Sequence, residues 1–225
     1  MNKRIAVVGA YGSGKTTLST ALAHLTGLPR THGSPMKEPI GGEGRSVHNW
    51  TDSQLLQLTV NRYAERLLGE AGCPRGFISD GSTVHEWVYA KLRLVAGSFP
   101  GTDAPLKNRH RSTGTAALEG AVDDIGLLMK YHARNNYEAF VHVPIEFELA
   151  PDNRPVNENF RRLSDDLLLP ALEATGVPVY TARGDLADRL EQITEHLGLG
   201  DATVVTTEEA VRLTTAPPPS NRPSH

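Results

Sequence analysis

The chemistry this chain could perform is concentrated near its start. In VVGAYGSGKTTL, glycines at 9, 12 and 14 lead into Lys15, Thr16 and Thr17. Four residues separate Gly9 from the Gly14-Lys15-Thr16 triplet, the spacing of a phosphate-cradling loop. Glycines let successive backbone N–H groups turn inward around an anion, and a following helix adds the partial positive charge of its N-terminus. Ala10, Gly12, Ser13, Gly14, Lys15, Thr16 and Thr17 are therefore expected to hold a nucleoside triphosphate. The Lys15 ammonium would lie over the β- and γ-phosphates, and the Thr16 hydroxyl would ligate Mg²⁺.

A second chemical feature is FISDG, which puts Asp80 at the end of a short apolar run. An acid there would sit beside the metal and the γ-phosphate, making Asp80 both a catalytic and a metal-binding candidate. Water-activating ATPases place a Glu directly after this acid, whereas here Gly81 follows. Asp-Gly-Ser instead resembles the corner of small-molecule kinases, where the acid takes a proton from the attacking hydroxyl or organises Mg²⁺. The competing reading is that Asp80 caps the next helix. No Asn-Lys-x-Asp guanine signature occurs, and no ABC-type signature is present. The third feature is LAPDNRPVNENFRR, whose Arg154, Arg161 and Arg162 fall where a closing segment would follow a strand. Arginines in such a lid neutralise charge on the transferring phosphoryl group and help exclude water. Arg161 and Arg162 also read as a solvated face paired with Asp165 and Asp166.

These residues need a scaffold, and the chain supplies one. Ile5–Val8 is a β-branched run suited to a strand buried on both faces. A helix is predicted from Gly14 to about Thr26, then a long loop over 32–50. TDSQ at 51–54 has capping-box spacing and opens a helix through about Gly69. A strand at 76–80, a helix over the following residues, a polar loop at 97–114 and a helix at 115–134 come next. A strand at 139–144 precedes the lid segment, expected at about 148–162, and a helix from near Glu158 is interrupted or kinked at Pro170. PVYTA is the last strand and Leu186–Leu197 the last helix. Strand–helix alternation of this kind means a parallel sheet with helices on both faces. The predicted fold is α/β, a P-loop NTPase three-layer sandwich with a five-stranded parallel sheet and a lid. Residues 1–200 form the domain and 201–225 a C-terminal extension whose last ten residues, Pro-rich and polar, are expected to be disordered.

The phosphate loop, FISDG, YEAFVHVPIEFELAPDNRP with NFRRLSDDLL, and GVPVYTARGDLADRLEQI occur in an order that resembles a branch of the P-loop kinases. That branch is the AAA-ATPase-like NTPases that include bacterial ribosylnicotinamide kinase, with nucleoside and nucleoside-monophosphate kinases more distant. The resemblance covers roughly residues 3–197. It implies that Arg154 is the lid arginine and that the turn Arg183-Gly184-Asp185 lies near adenine. Where the family carries Asp-Gly-x-Arg, this chain has Asp152-Asn153-Arg154.

In this architecture the acceptor binds over the carboxyl ends of the strands. Glu38 and Glu86 are candidates for a sugar hydroxyl pair, and Arg62 for an acceptor phosphate or carboxylate. His32, Lys37, His85, Arg161 and the basic run Lys107, Arg109, His110 and Arg111 complete the set. Trp87 and Tyr89 read as packing rather than base stacking, and Cys73, the single cysteine, as an inert thiol.

Composition narrows the classes further. The chain has 225 residues, 39% hydrophobic and 22% charged, with a net charge of −3. That balance supplies no cationic field for nucleic acid or an anionic membrane. No apolar run approaches the ~18 residues of a membrane span, so the expected location is cytoplasmic. The expected activity is ATP- and Mg²⁺-dependent phosphoryl transfer to a hydroxyl of a small polar metabolite, a nucleoside or nucleotide-like acceptor. The alternative is a regulatory NTPase or nucleotide-dependent switch acting on a macromolecular partner. The oligomeric state is open, with a homodimer among the options.

Overall fold

Strand β1 (Arg4–Val8) occupies the centre of the sheet, and its last four residues are fully buried because helices cover both faces. The structure, a computed structural model, describes residues 3–31, 39–41, 44, 50–96, 113–149 and 158–216. After β1 come α1 (Lys15–Thr26), β2 (Arg30–Thr31), α2 (Asp52–Ala71), β3 (Phe77–Asp80), α3 (Thr83–Ala96) and α4 (Thr113–Asn136). Then follow β4 (Ala139–His142), α5 (Glu158–Glu173), β5 (Val179–Thr181), α6 (Leu186–Leu197) and α7 (Thr207–Thr215). All pairings are parallel, in the order β2-β3-β1-β4-β5. β1 is thus flanked by β3 and β4, and in sheets of this kind ligands bind beyond the carboxyl ends of such strands.

Alternation along β1 builds two cores. Ile5 and Val7 pack with Leu18, Leu22, Leu25, Leu190 and Ile193 on the face of α1, α6 and α7. Ala6 and Val8 face the other way, with Phe140 of β4 and with Trp87, Met129, Phe160 and Leu168 from α3, α4 and α5. Each large apolar side chain so buried contributes about 1.5–3 kcal/mol relative to exposure. Close packing of α3 on α4 depends on Gly126, where a Cβ would lie 2.3 Å from Trp87 Cδ1.

Local signals set several boundaries. The Thr51 side chain accepts from the Gln54 N–H at 3.2 Å and the Gln54 side chain accepts from the Thr51 N–H at 2.9 Å, completing the capping box of α2. α1 stops at Gly27, whose left-handed φ of 67° no β-branched residue adopts cheaply.

Three differences from the sequence reading stand out. β2 was not located, since two residues carry no periodicity. α7 lies in a region with no clear pattern, yet it packs on α1 and α6 through Ala210 and Val211. α5 runs without interruption to Glu173, past Pro170. Pro170 and Asp166, whose carbonyl the proline leaves without a helical donor, are both exposed, so that carbonyl stays open to solvent. Among the described residues no helix is long and apolar enough to cross a membrane.

Candidate active site

Between Val8 and α1 the backbone turns through left-handed glycines, with φ of 145° at Gly9, 69° at Gly12 and 100° at Gly14. Gly9 is also sterically required: a Cβ there would lie 2.3 Å from the Val143 carbonyl. Lys15 reaches back to donate to the Ala10 carbonyl at 2.6 Å. Burial lowers its ammonium to about 8, Arg161 adds to the lowering, and Asp80 and Asp165 oppose it. The ammonium remains charged at neutral pH. The Ser13 hydroxyl is buried inside the loop without a hydrogen-bond partner among the described residues. A glycine-rich loop with an unpaired hydroxyl and a desolvated cation at a helix N-terminus is built for an anion.

The loop is held from three sides. Fully buried Arg161, on α5, donates to Tyr11 O at 2.8 Å, to Gly12 O at 3.3 Å and to Phe147 O at 2.6 Å. Arg189, on α6, donates to Ser13 O at 3.3 Å and to Glu146 at 2.7 Å. The Arg189 hydrogen bond holds the Glu146 carboxyl below its ordinary value. His85, in the first turn of α3, lies behind Gly9. Ser82 N–H donates to its Nδ1 at 3.2 Å, and its Nε2 meets Gly9 twice, 2.9 Å from the carbonyl oxygen and 3.2 Å from the N–H. Burial, reinforced by the Lys15 charge, lowers His85 to about 3 and keeps it neutral.

At the mouth of the loop the Thr16 hydroxyl donates to Asp80 Oδ2 at 2.9 Å. The pairing of Val7 with Asp80 across β1 and β3 sets this meeting. Arg30, on β2, donates to the same oxygen through Nη2 and to Ser19 Oγ through Nε at 2.9 Å. These hard oxygens, Thr16 Oγ1 and the Asp80 carboxylate, suit Mg²⁺.

Beyond Asp80 a buried polar network joins α2, β3 and α3 to Tyr137, the residue after α4. Glu86 accepts from Arg62 Nε at 2.6 Å and from Arg66 Nη2 at 3.2 Å. Burial alone would raise its carboxyl, but the two guanidiniums outweigh that and hold it at about 2. Arg66 also donates to Ser79 Oγ at 2.9 Å and to the Asp80 carbonyl at 3.3 Å. Ser79 in turn donates to Glu70 at 2.9 Å, which accepts from Tyr137 OH at 2.8 Å. Burial, then the charge of Glu70, raises the Tyr137 phenol well above its ordinary value.

Lys15, Thr16 and Asp80 therefore come together at the mouth of the loop. Arg62 and Glu86 meet one another one layer away. His85 and Arg161, expected on the acceptor side, have their polar atoms engaged with the phosphate loop and its flanks. Arg183 is exposed, with Glu146 at 3.8 Å. Trp87 packs on Gly126 and beneath the Lys130 ammonium, and Tyr89 stacks on Phe160 at a ring separation of 6.0 Å. Arg154, Glu38, His32, Lys37 and the basic run at 107–111 lie outside the described residues, as do most of the lid and the expected tail. Sequence reasoning missed Arg30, Arg66, Arg189 and Glu146. Only Arg66 had a signal, since it sits one helical turn after Arg62 on the same face.

A parallel sheet in this order with a Gly-Lys-Thr loop after its central strand defines a P-loop nucleotide-binding fold of the kinase-like kind. The chain belongs to the AAA domain family, whose model matches residues 4–189. Among solved structures it is similar to deoxyadenosine kinase from M. mycoides with bound dATP, at a TM-score of 0.58 and 13% identity over 87% of this chain and 99% of that one. The same enzyme with the products dCMP and a flexible dCDP gives 0.56 and 11%, over 87% and 98%. NadR protein in complex with NR gives 0.51 and 14%, over 91% of this chain and 52% of NadR, so the chain spans about half of that protein. At such identities the likeness is one of fold. No curated protein matches at a significant level.

Proposed function

We propose that the chain is an ATP- and Mg²⁺-dependent kinase that phosphorylates a hydroxyl of a nucleoside or nucleotide-like metabolite. The observation that carries this reading is the contact of Thr16 with Asp80 at the mouth of the phosphate loop. Nucleoside-kinase structures are its neighbours in fold, which supports the choice of acceptor. Mg²⁺ would be held by Thr16 and Asp80 and would neutralise phosphate charge.

The loop amides and Lys15 hold the β- and γ-phosphates. The acceptor oxygen forms a bond to the γ-phosphorus as the bond to the β–γ bridging oxygen breaks, and ADP leaves. The hydroxyl proton passes to a carboxylate or to solvent. The Thr16 contact favours Asp80 as metal organiser over proton acceptor. Charge developing on the phosphoryl oxygens falls to Lys15 and, from the lid, to Arg154. Glu86 and Arg62 are the candidates for reading the acceptor, and Arg183 for lying beside the base.

The test is ADP release from ATP·Mg²⁺ in the presence of pooled nucleosides, nucleotides, sugars or amino alcohols. Turnover that rises with the nucleoside or nucleotide pool supports the proposal. Equal slow hydrolysis in every pool overturns it in favour of a nucleotide-dependent switch. Asp80→Asn should lower the stimulated rate by about 10²-fold or more while nucleotide still binds.

A further inference from the structure

Asp80 has a second partner that the kinase reading does not use. Arg30 reaches it from the edge strand β2, fifty residues earlier in the chain, and shares Oδ2 with the Thr16 hydroxyl. The guanidinium is not a loose surface charge. Its Nε is anchored on Ser19 Oγ at 2.9 Å, and Ser19 is itself fully buried in α1 and donates to the Thr16 carbonyl at 3.0 Å. The register that pairs Arg30 with Ile78 brings the arginine alongside the end of β3. The Asp80 side chain is 9% exposed and that of Arg30 26%, so the pair is shielded but not sealed from solvent. A cation thus occupies the side of the carboxylate that faces the metal-binding hydroxyl.

We propose that Arg30 is a built-in substitute for the metal charge, neutralising Asp80 when nucleotide binds without Mg²⁺ and yielding part of that carboxylate when Mg²⁺ is present. The proposal rests on the reading of Thr16 and Asp80 as the metal corner. Its physical basis is that an unneutralised carboxylate beside the γ-phosphate repels the nucleotide, whereas a fixed cation at the same oxygen competes with any second one. Arg30 therefore helps metal-free ATP and opposes ATP·Mg²⁺, so it narrows the difference between them. Linkage requires the same coupling to appear in Mg²⁺ affinity measured with nucleotide bound.

The experiment is equilibrium binding of ATP to the full chain by calorimetry, in EDTA and in saturating Mg²⁺, for the unaltered protein and for Arg30→Gln. In Arg30→Gln the ratio of the two dissociation constants should widen by about tenfold, with metal-free binding weakened and Mg²⁺-supported binding kept or tightened. A ratio that stays the same or narrows overturns the proposal, because a mere positioning role would weaken the Mg²⁺ complex most. Ser19→Ala, which releases the anchor but keeps the charge, should move the ratio in the same direction by less. It decides the matter if Arg30→Gln does not fold, and an unchanged ratio there counts against the proposal. Failure of the unaltered chain to bind ATP at all would instead sink the kinase reading.

Discussion

The phosphate loop and the network beyond Asp80 differ in how they are made. The loop is eight consecutive residues whose chemistry lies mainly in backbone N–H groups and in one ammonium. The network is side chains from three elements and from Tyr137 just past α4, joined across sequence separations of 20 between Arg66 and Glu86 and 67 between Tyr137 and Glu70. The loop leaves Lys15 desolvated and the Ser13 hydroxyl unpaired. The network pairs the Glu86 carboxylate with two guanidiniums. One region leaves polar groups that a ligand can engage, while the other engages its charges with one another. Nucleotide affinity and stability should therefore respond to mutation in opposite ways in the two regions.

The largest effect expected is at Lys15. Lys15→Met should lower the turnover of any ATP-dependent reaction by about 10²–10³-fold, the scale of losing one preorganised charge-stabilising donor. The same change should leave stability equal or raised. Burial lowers the folded-state value to about 8 from 10.5, so folding opposes the charged form at neutral pH. The stability of the unaltered chain should accordingly rise with pH between about 8 and 10.5 in this contribution. Urea denaturation of both proteins at pH 7 and pH 9 checks this. A strongly destabilised Lys15→Met would erase the contrast between the regions.

Glu86→Gln tests the other side. Removing one partner of a buried ion pair leaves guanidinium charge without its anion and should cost about 3–5 kcal/mol of folding stability. Nucleotide affinity per folded molecule should change little. The pH dependence has a definite sign. A carboxyl held at about 2 in the fold, against 4.5 when unfolded, stabilises fully above 4.5 and loses that contribution as pH falls towards 2. His85, held at about 3 against 6.5, weakens the fold over the acid range in the same direction. Glu86→Gln should show a shallower acid limb below pH 4.5 than the unaltered chain. An equally steep limb would assign the acid sensitivity to His85 and the remaining groups.

This contrast also explains what the sequence disclosed. The loop was legible because its function depends on spacing within one stretch, bounded by an apolar strand and a helix start. The capping box at Thr51, the strand ending in Asp80 and the helix stop at Gly27 were legible for the same reason: each is local. Arg30 was not, because a two-residue strand gives no alternation and nothing nearby points to Asp80. His85 and Arg161 could be singled out by residue type but not by direction. Whether a buried cation or imidazole faces the acceptor or the back of the loop depends on how α3 and α5 pack on the sheet. α7 was missed since its apolar face is small, with Ala210 its one fully buried residue.

The smallest effect expected is at Arg183, where resemblance and geometry ask for different things. The resemblance puts this turn beside adenine. In the structure the side chain is 65% exposed and 3.8 Å from Glu146, whose nearer partner is Arg189 at 2.7 Å. An exposed pair of that length contributes at most a few tenths of a kcal/mol to 1 kcal/mol. Arg183→Ala should therefore leave stability within about 0.5 kcal/mol. ATP affinity, measured by calorimetry, should weaken by less than about threefold if the arginine only flanks the base. A loss of tenfold or more, with GTP affinity unaffected, would mean that the guanidinium stacks on adenine in the complex. The nucleotide end would then no longer be purely a matter of backbone, and the division drawn between the two regions would move from the loop to the turn after β5.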